Sequence, residues 1–362
     1  VIEIDASIGE GGGQVVRTAV TLAACCGTAV RLRRVRERRE RPGLRAQHLA
    51  AVRAAAAICE AKVAGATIGS PELAFEPGRA RAGRYEIDVG TAGSTMLVLQ
   101  TVLPALSFCP GPSTLVLRGG THNPRAPTFE FVRDAYLPAI GRLGFRARVE
   151  LVAYGFFPRG GGIVHATVEP WVPRAALDLR DRGRVQSRFA TALSSRLPEH
   201  VGRRELASLR SRLGLCEGEC ASESVDASGA GNVLQLRVRC DHVTTVFSAF
   251  GERGKPAEAV AGELAGAVEE YLAADVAVDA RLADQLLLPL ALTAGGAFST
   301  LPTTLHTETN AGIIRRFVPA AFEVSPAGAN RRIVGCAGVA DFLLSLRAGP
   351  AGPARSVARE TS

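Results

Sequence analysis

The chain has 362 residues, 47% hydrophobic and 22% charged, enough for one large or two ordinary domains with real cores. Apolar runs such as Thr95–Leu106 and Leu286–Leu292 stop short of the ~20 residues that span a bilayer, so no membrane partner is expected. The net charge of +8 suits an anionic partner, and because Lys62 and Lys255 are the only lysines, nearly all of it is arginine, whose forked guanidinium matches phosphate.

The opening Val-Ile-Glu-Ile-Asp lacks the basic-then-apolar order of a secretion signal, so the cytoplasm is the expected compartment. Next comes Gly9-Glu-Gly-Gly-Gly-Gln-Val-Val-Arg17, a glycine-rich turn running into an apolar helix over Gly11–Cys25. Backbone N–H groups at such a helix start can hold phosphate. Glu10 offers a hard carboxylate for Mg2+, and Arg17, one turn on, can reach the same anion. A plain strand-to-helix turn would use the same glycines, and no Gly-x4-Gly-Lys-Ser/Thr loop occurs. The segment Arg31–His48 carries eight arginines on a strand-like start, broken by Pro42-Gly43 before a helix over Gln47–Cys59. That density exceeds what a solvated edge strand needs and points to a phosphate or RNA-backbone site.

The helix-after-glycine pattern recurs at Gly93–Leu106 and again at Ala283–Gly296, each closing near a Gly or Pro. A second helix and a strand pair follow each: Ala66–Val89 after the first helix pair, Phe129–Leu143 then Arg146–Val168, and a shorter Ala311–Val318 then Ala321–Val339. The chain therefore reads as α/β (α+β) with a threefold repeat. The expected organisation is a large domain over 1–176 and 273–347, a small α/β insert over 177–272, and a disordered tail over 348–362. Within the insert, helices are expected at Gly202–Leu213 and Ala257–Leu272 and strands at Asn232–Cys240 and Val243–Phe250. The cysteines are scattered; Cys216 and Cys220 form a pair without the second pair that structural zinc normally needs.

His306 closes the set, in Thr303-Thr-Leu-His-Thr-Glu-Thr-Asn310. With a strand over Phe298–Leu305 and Thr309 or Asn310 capping the next helix, it would face a positive helix end, which favours a neutral, nucleophilic imidazole. A histidine bonded to a neighbour would look the same in sequence. Neither lysine sits in a Lys-x-Asp-Gly context, and there is no Gly-x-Ser-x-Gly elbow or His-Glu-x-x-His, so a histidine nucleophile is the economical choice for phosphate chemistry.

Taken in order, Gly9-Glu-Gly-Gly-Gly-Gln14 with Arg17, Arg36 and Arg39, Pro42-Gly-Leu with Gln47-His-Leu49, Gly90-Thr-Ala-Gly-Ser94 through Gln100, Gly119-Gly-Thr-His-Asn123, Gly155-Phe-Phe-Pro-Arg-Gly-Gly-Gly162, Leu282-Ala-Asp-Gln285 and His306-x-x-Thr309 resemble the RNA 3'-terminal phosphate cyclases from Ile2 to Val339. The resemblance implies three repeats of a helix pair on a four-stranded sheet, an enolpyruvate transferase-like architecture, with a small inserted domain. It also implies ATP as cosubstrate, Mg2+ as cofactor, RNA 3'-phosphate ends as partner and no obligate protein partner. His306 would carry AMP and pass it to the RNA 3'-phosphate, which then closes on the 2'-OH and releases AMP. Glu10 would hold the metal; Arg17, Arg39 and Gln47 would bind phosphates. Gln100, Pro127 and the run Arg281, Leu282, Ala283, Asp284 and Gln285 would form the adenosine pocket, with Asp284 and Gln285 at a helix start. Arg36 and His48 would hold the RNA end. Three features depart from the pattern: Arg281 where an aromatic residue often packs on adenine, Tyr154 where a basic residue is frequent, and the extra tail Ala348–Ser362. Related chains offer two other readings, an RNA-binding ribosome-assembly branch without the histidine and the enolpyruvate transferases; His306 and Pro-Gly-Leu-Arg-Ala-Gln-His48 favour the cyclases.

Overall fold

In the computed structural model, which describes residues 1–340, one sheet plan occurs three times. The first sheet runs Ile2–Asp5, Val30–Arg33, Leu73–Glu76, Lys62–Ala64 in space. Its first two strands are parallel, Ile2 opposite Val30, and the rest antiparallel. A parallel pair needs a long crossover, and helix α1 (Gly13–Cys26) supplies it; α2 (Ala46–Cys59) follows. The second sheet repeats the plan with Arg84–Asp88, Ser113–Gly119, Gly162–Glu169 and Arg146–Ala153, crossed by α3 (Thr95–Ser107). A helix over 129–141, α4, follows, with a π-helical centre at Val132–Tyr136.

The third sheet opens with Leu177–Leu179, parallel to Gly295–Thr300, and ends with the hairpin Ala321–Gly328 and Arg331–Ala337. A fourth sheet lies inside this crossover: Cys220–Ser224, Val185–Ser195, Gly231–Cys240 and Thr244–Phe250, in that spatial order. On it pack α5 (His200–Leu213) and α6 (Ala257–Ala274), burying Leu206, Leu209, Leu264 and Val268 against Ala190, Leu234 and Leu236. Helices α7 (Ala280–Ala291) and α8 (Leu305–Phe317) complete the third unit.

Helix α1 is apolar nearly all round, with Val16, Ala19, Val20, Leu22 and Ala23 fully buried, as suits a helix wrapped by others. It packs on α2, α3 and α8, so residues at its start meet those at the start of α8.

Several boundaries differ from the sequence expectation. Gly295 and Gly296 begin a strand rather than end a helix, since α7 already stops at Ala291; it also starts earlier than expected, capped by Asp279, whose carboxylate accepts from Leu282 N at 3.1 Å. Asp284 and Gln285 therefore sit in the middle of α7. The expected strand over 298–305 stops at Thr300, and α8 starts at Leu305 under Thr304. Pro104 and Pro289 lie inside α3 and α7 instead of stopping them; each removes one N–H near the helix end, where few bonds remain to lose. In the insert, Val185–Ser195 and Cys220–Ser224 are two further strands; mixed polar residues masked their alternation. The expected tail over 348–362 lies outside the described residues.

Arg182 ties the insert's long helix to the chain leading into α7. It is 9% exposed, donates to the carbonyls of Tyr271 (3.3 Å), Leu272 (3.3 Å) and Val276 (3.4 Å), and pairs with Asp275 at 3.0 Å. It thus satisfies the last carbonyls of α6. Arg182→Ala is expected to lower stability by about 3 kcal/mol in urea unfolding, because buried acceptors lose a charged donor. Arg182→Lys should recover only part, since an ammonium lacks the planar fork.

Candidate active site

Glu10 stands between the starts of α1 and α8. Its backbone N–H donates to Thr309 Oγ1 at 3.2 Å, and its Oε1 accepts from Arg39 Nη2. Its Oε2 is buried, accepts no hydrogen bond, and lies 2.5 Å from His306 Nδ1. Close approach is possible because Gly9, at φ 61°, has no side chain; a Cβ there would sit 2.0 Å from Thr309 Oγ1.

His306 lies in the first turn of α8, not ahead of the helix as the sequence suggested. Thr304 is the N-cap: its hydroxyl accepts from Thr307 N at 3.2 Å, and Thr307 Oγ1 accepts from Thr304 N at 3.2 Å. Both hydroxyls turn to the Asp284 carboxylate, which is pushed up to about 6 by burial, partly offset by the Thr307 hydrogen bond and by His306. Asn310 joins the third helix, donating to Asp284 O at 2.9 Å while accepting from Thr18 at 2.8 Å. The cap, α7 and α1 thus fix the turn that carries His306. Its Nδ1 faces two oxygens, Gln14 Oε1 at 2.8 Å and Glu10 Oε2. The ring proton therefore belongs on Nδ1, and Nε2 keeps its lone pair.

Beyond Glu10 the surroundings are cationic. Arg17 is lowered to about 10 by burial, with Glu10 opposing the shift, so it stays charged at neutral pH. Arg36 is lowered by burial and by Arg39 and Arg45; its Nη1 donates to Arg41 O at 2.9 Å, bracing its own loop. His48 is held down at about 3 by burial and then by Arg17, Arg36 and Arg45. Its Nδ1 accepts from Arg45 N at 3.1 Å, so the proton is on Nε2, which faces the start of α1; a Cβ on Gly13 would lie 2.2 Å from that atom. Gln47 stands beside the Gly90–Ser94 turn: a Cβ on Gly93 would be 3.4 Å from Gln47 Cβ. No side chain caps α1, whose N-cap is Gly12. Uncapped N–H groups beside arginines and a proton-bearing imidazole make an anion cradle.

On the other side of His306 opens a cavity of about 620 Å³, a size that suits a nucleotide. Gln14, Arg17, Gln100, Pro127, Arg281, Asp284 and Gln285 line it, and Gln100 Nε2 donates to Gln285 Oε1. Leu282 and Ala283 are not among the lining residues: at 0% and 2% exposure their side chains are buried in the core. Arg281 reaches across to Ser248 O at 3.4 Å, and Ser248, Phe250, Glu252 and Lys255 of the insert form the far wall. Sequence reasoning missed that wall, for which no local motif exists. It also missed the roles of Gln14 and the Thr304–Thr307 cap, although Thr-x-x-Thr before a helix carries a capping signal. Tyr154, the second departure, stacks on His122 with ring centroids 5.5 Å apart.

The residues fit a divalent hard cation. A buried carboxylate oxygen without a hydrogen bond is a ready ligand, and Gln14 Oε1 alone can accept the hydrogen bond of His306 Nδ1–H, leaving Glu10 Oε2 free. Among the described residues no three His, Cys, Asp or Glu side chains cluster as a cage, but Mg2+ commonly uses one or two carboxylates with substrate phosphates and water. No described helix is long and apolar enough to cross a membrane.

Residues 8–324 match the family model described as RNA 3'-terminal phosphate cyclase. The RNA 3'-terminal phosphate cyclase of Koribacter versatilis is 45% identical over 90% of this chain and 92% of its own. That of Ralstonia nicotianae is 46% identical over 88% of this chain and 92% of its own. Among solved structures, the enolpyruvyl transferase NikO from Streptomyces tendae matches 94% of this chain and 49% of its own at 12% identity, with a TM-score of 0.34; a likeness so weak carries no argument.

The His48 environment has a measurable consequence. Its folded value lies below the ordinary 6.5, so between about 3 and 6.5 the unfolded chain binds a proton that the folded one refuses. Stability is therefore lost as pH falls through that window, by about 2 kcal/mol from pH 6.5 to 5 at this site. His48→Gln should show a correspondingly smaller loss in urea unfolding, and the His48 ring should remain neutral by NMR at pH 5.

Proposed function

The chain belongs to the RNA 3'-terminal phosphate cyclase family, and from that premise we propose that it converts RNA 3'-phosphates to 2',3'-cyclic phosphates through a histidine-bound AMP. The observation that carries the mechanism is the clamp on His306 Nδ1 by Gln14 and Glu10, which leaves Nε2 as the nucleophile.

In the first step the Nε2 lone pair attacks the α-phosphorus of ATP, and the bond to the pyrophosphate oxygen breaks. The imidazole becomes cationic as the N–P bond forms, and Gln14 Oε1, accepting from Nδ1–H, stabilises that charge. In the second, an oxygen of the RNA 3'-phosphate attacks the same phosphorus, the N–P bond breaks, and RNA-(3')pp(5')A forms. In the third, the 2'-OH gives its proton to solvent and its oxygen attacks the 3'-phosphorus, the bond to the bridging oxygen of the diphosphate breaks, and AMP leaves. Mg2+ held by Glu10 would neutralise the triphosphate as a Lewis acid. Arg17 and Arg39 supply fixed positive charge where negative charge develops, and Gln47 a neutral donor. The His48 Nε2–H and Arg36 hold the RNA phosphate. Gln100, Gln285, Pro127 and Arg281 hold the nucleoside, while Asp284 acts through the Thr304–Thr307 cap.

The test is incubation of a 3'-phosphorylated oligoribonucleotide with ATP and Mg2+. Wild type should yield a phosphatase-resistant product lighter by one water, absent with a 3'-hydroxyl oligonucleotide. His306→Ala should lower the rate by at least about a thousandfold. Glu10→Gln, which keeps an acceptor for Nδ1–H but loses the charge, should lower it by about a hundredfold. Folded wild-type protein that binds the RNA and never turns it over would overturn the reading.

A further inference from the structure

Outside the site, Phe157 is the one aromatic among the large hydrophobic side chains most open to solvent in the described residues, at 60% exposure. It stands on the loop Gly155–Gly162, which is pinned from two sides. Gly160 N donates to Phe156 O at 2.7 Å, and Gly160 O accepts from Ser228 Oγ at 2.7 Å. Phe156 is buried with Leu193 and Val233, so the neighbouring ring is presented outward from a fixed base.

Two exposed arginines meet at the same place. The stem of Arg159 lies over Gly229, where a Cβ would be 2.5 Å from Arg159 Cγ, and Arg196 Nε donates to Ala227 O at 3.0 Å. Neither is ion-paired among the described residues. Three of the four arginines of α5 contrast with them: Arg203, Arg204 and Arg212 are paired with Glu199, Glu258 and Glu269 at 3.0, 2.8 and 2.6 Å. Arg159 and Arg196 thus keep their charge unpaired on the segments beside Phe157.

The platform is continuous with the phosphate side of the site. A Cβ on Gly160 would sit 2.9 Å from Ala92 Cα, and the same Gly90–Ser94 turn meets Gln47 through Gly93. A strand of nucleic acid whose 3' end lies by His48, the neighbour of Gln47, can follow this turn outward to the Phe157 loop. An exposed ring flanked by arginines is the combination that holds single-stranded nucleic acid without sequence preference, the ring stacking a base and the guanidiniums contacting phosphates.

We propose that Phe157, with Arg159 and Arg196, forms a second RNA subsite that stacks a base and binds backbone phosphate a few nucleotides upstream of the 3' end. This rests on the RNA cyclase reading. The test is fluorescence anisotropy with a 3'-phosphorylated single-stranded decanucleotide, which needs no turnover, set beside RNA-independent labelling of the protein by ATP. Phe157→Ala should weaken decanucleotide binding about tenfold, and Phe157→Trp should restore it. Arg159→Ala should also weaken it and flatten the plot of log affinity against log salt by about 0.7. Competition by a mononucleoside 3'-phosphate, too short to reach the loop, should be equal for wild type and Phe157→Ala, and ATP labelling should be unchanged. Unaltered decanucleotide binding by Phe157→Ala would overturn the proposal. So would an equal loss for the mononucleotide, which would mark damage to the 3'-phosphate site instead. A wild type that takes up label from ATP yet binds no decanucleotide would sink the subsite alone, whereas decanucleotide binding without label would leave it standing and remove the adenylate mechanism.

Discussion

The Glu10 carboxylate holds the site together. One oxygen accepts from Arg39, the other lies against His306 Nδ1, and the backbone is anchored to Thr309. Three distant parts of the chain meet there: the glycine turn, the arginine-rich loop and the start of α8. A buried carboxylate is costly unless paired, so the fold must bring Arg39 and His306 to it together. The same contact occupies Nδ1 of His306 and leaves Nε2 as its open nitrogen.

That convergence follows from the architecture. Each repeat runs a parallel strand pair around a crossover helix, and α1 packs at the centre against α2, α3 and α8. The starts of α1 and α8 thereby face each other across a few ångströms, although nearly 300 positions separate their residues in sequence. The fourth sheet enters through the crossover of the third repeat and turns the open face of the cavity into a walled one, with Ser248 accepting from Arg281. The insert therefore belongs to the cavity beside His306 as much as to any other surface.

Much of this was legible in the residues. The glycine turn, the arginine-rich loop, the apolar crossover helices and a histidine close to a helix start each follow from local pattern, and their ordered resemblance to one family pointed to a common site. What was hidden depends on tertiary partners. Asp279 rather than Asp284 caps α7, and Thr304 rather than Thr309 caps α8, because several residues in each segment could serve and only packing chooses. Leu282 and Ala283 lie within a matching motif yet face the core, since a helix turns consecutive residues to different sides. The short polar strands of the insert alternate too weakly to read alone.

The most direct measurement uses ATP labelled in its α-phosphate, without RNA, followed by denaturation and peptide mapping. The account predicts one acid-labile AMP per chain on the peptide carrying His306, attached at Nε2. Label on Lys62 or Lys255, label that persists in His306→Ala, or no label on folded protein would contradict it.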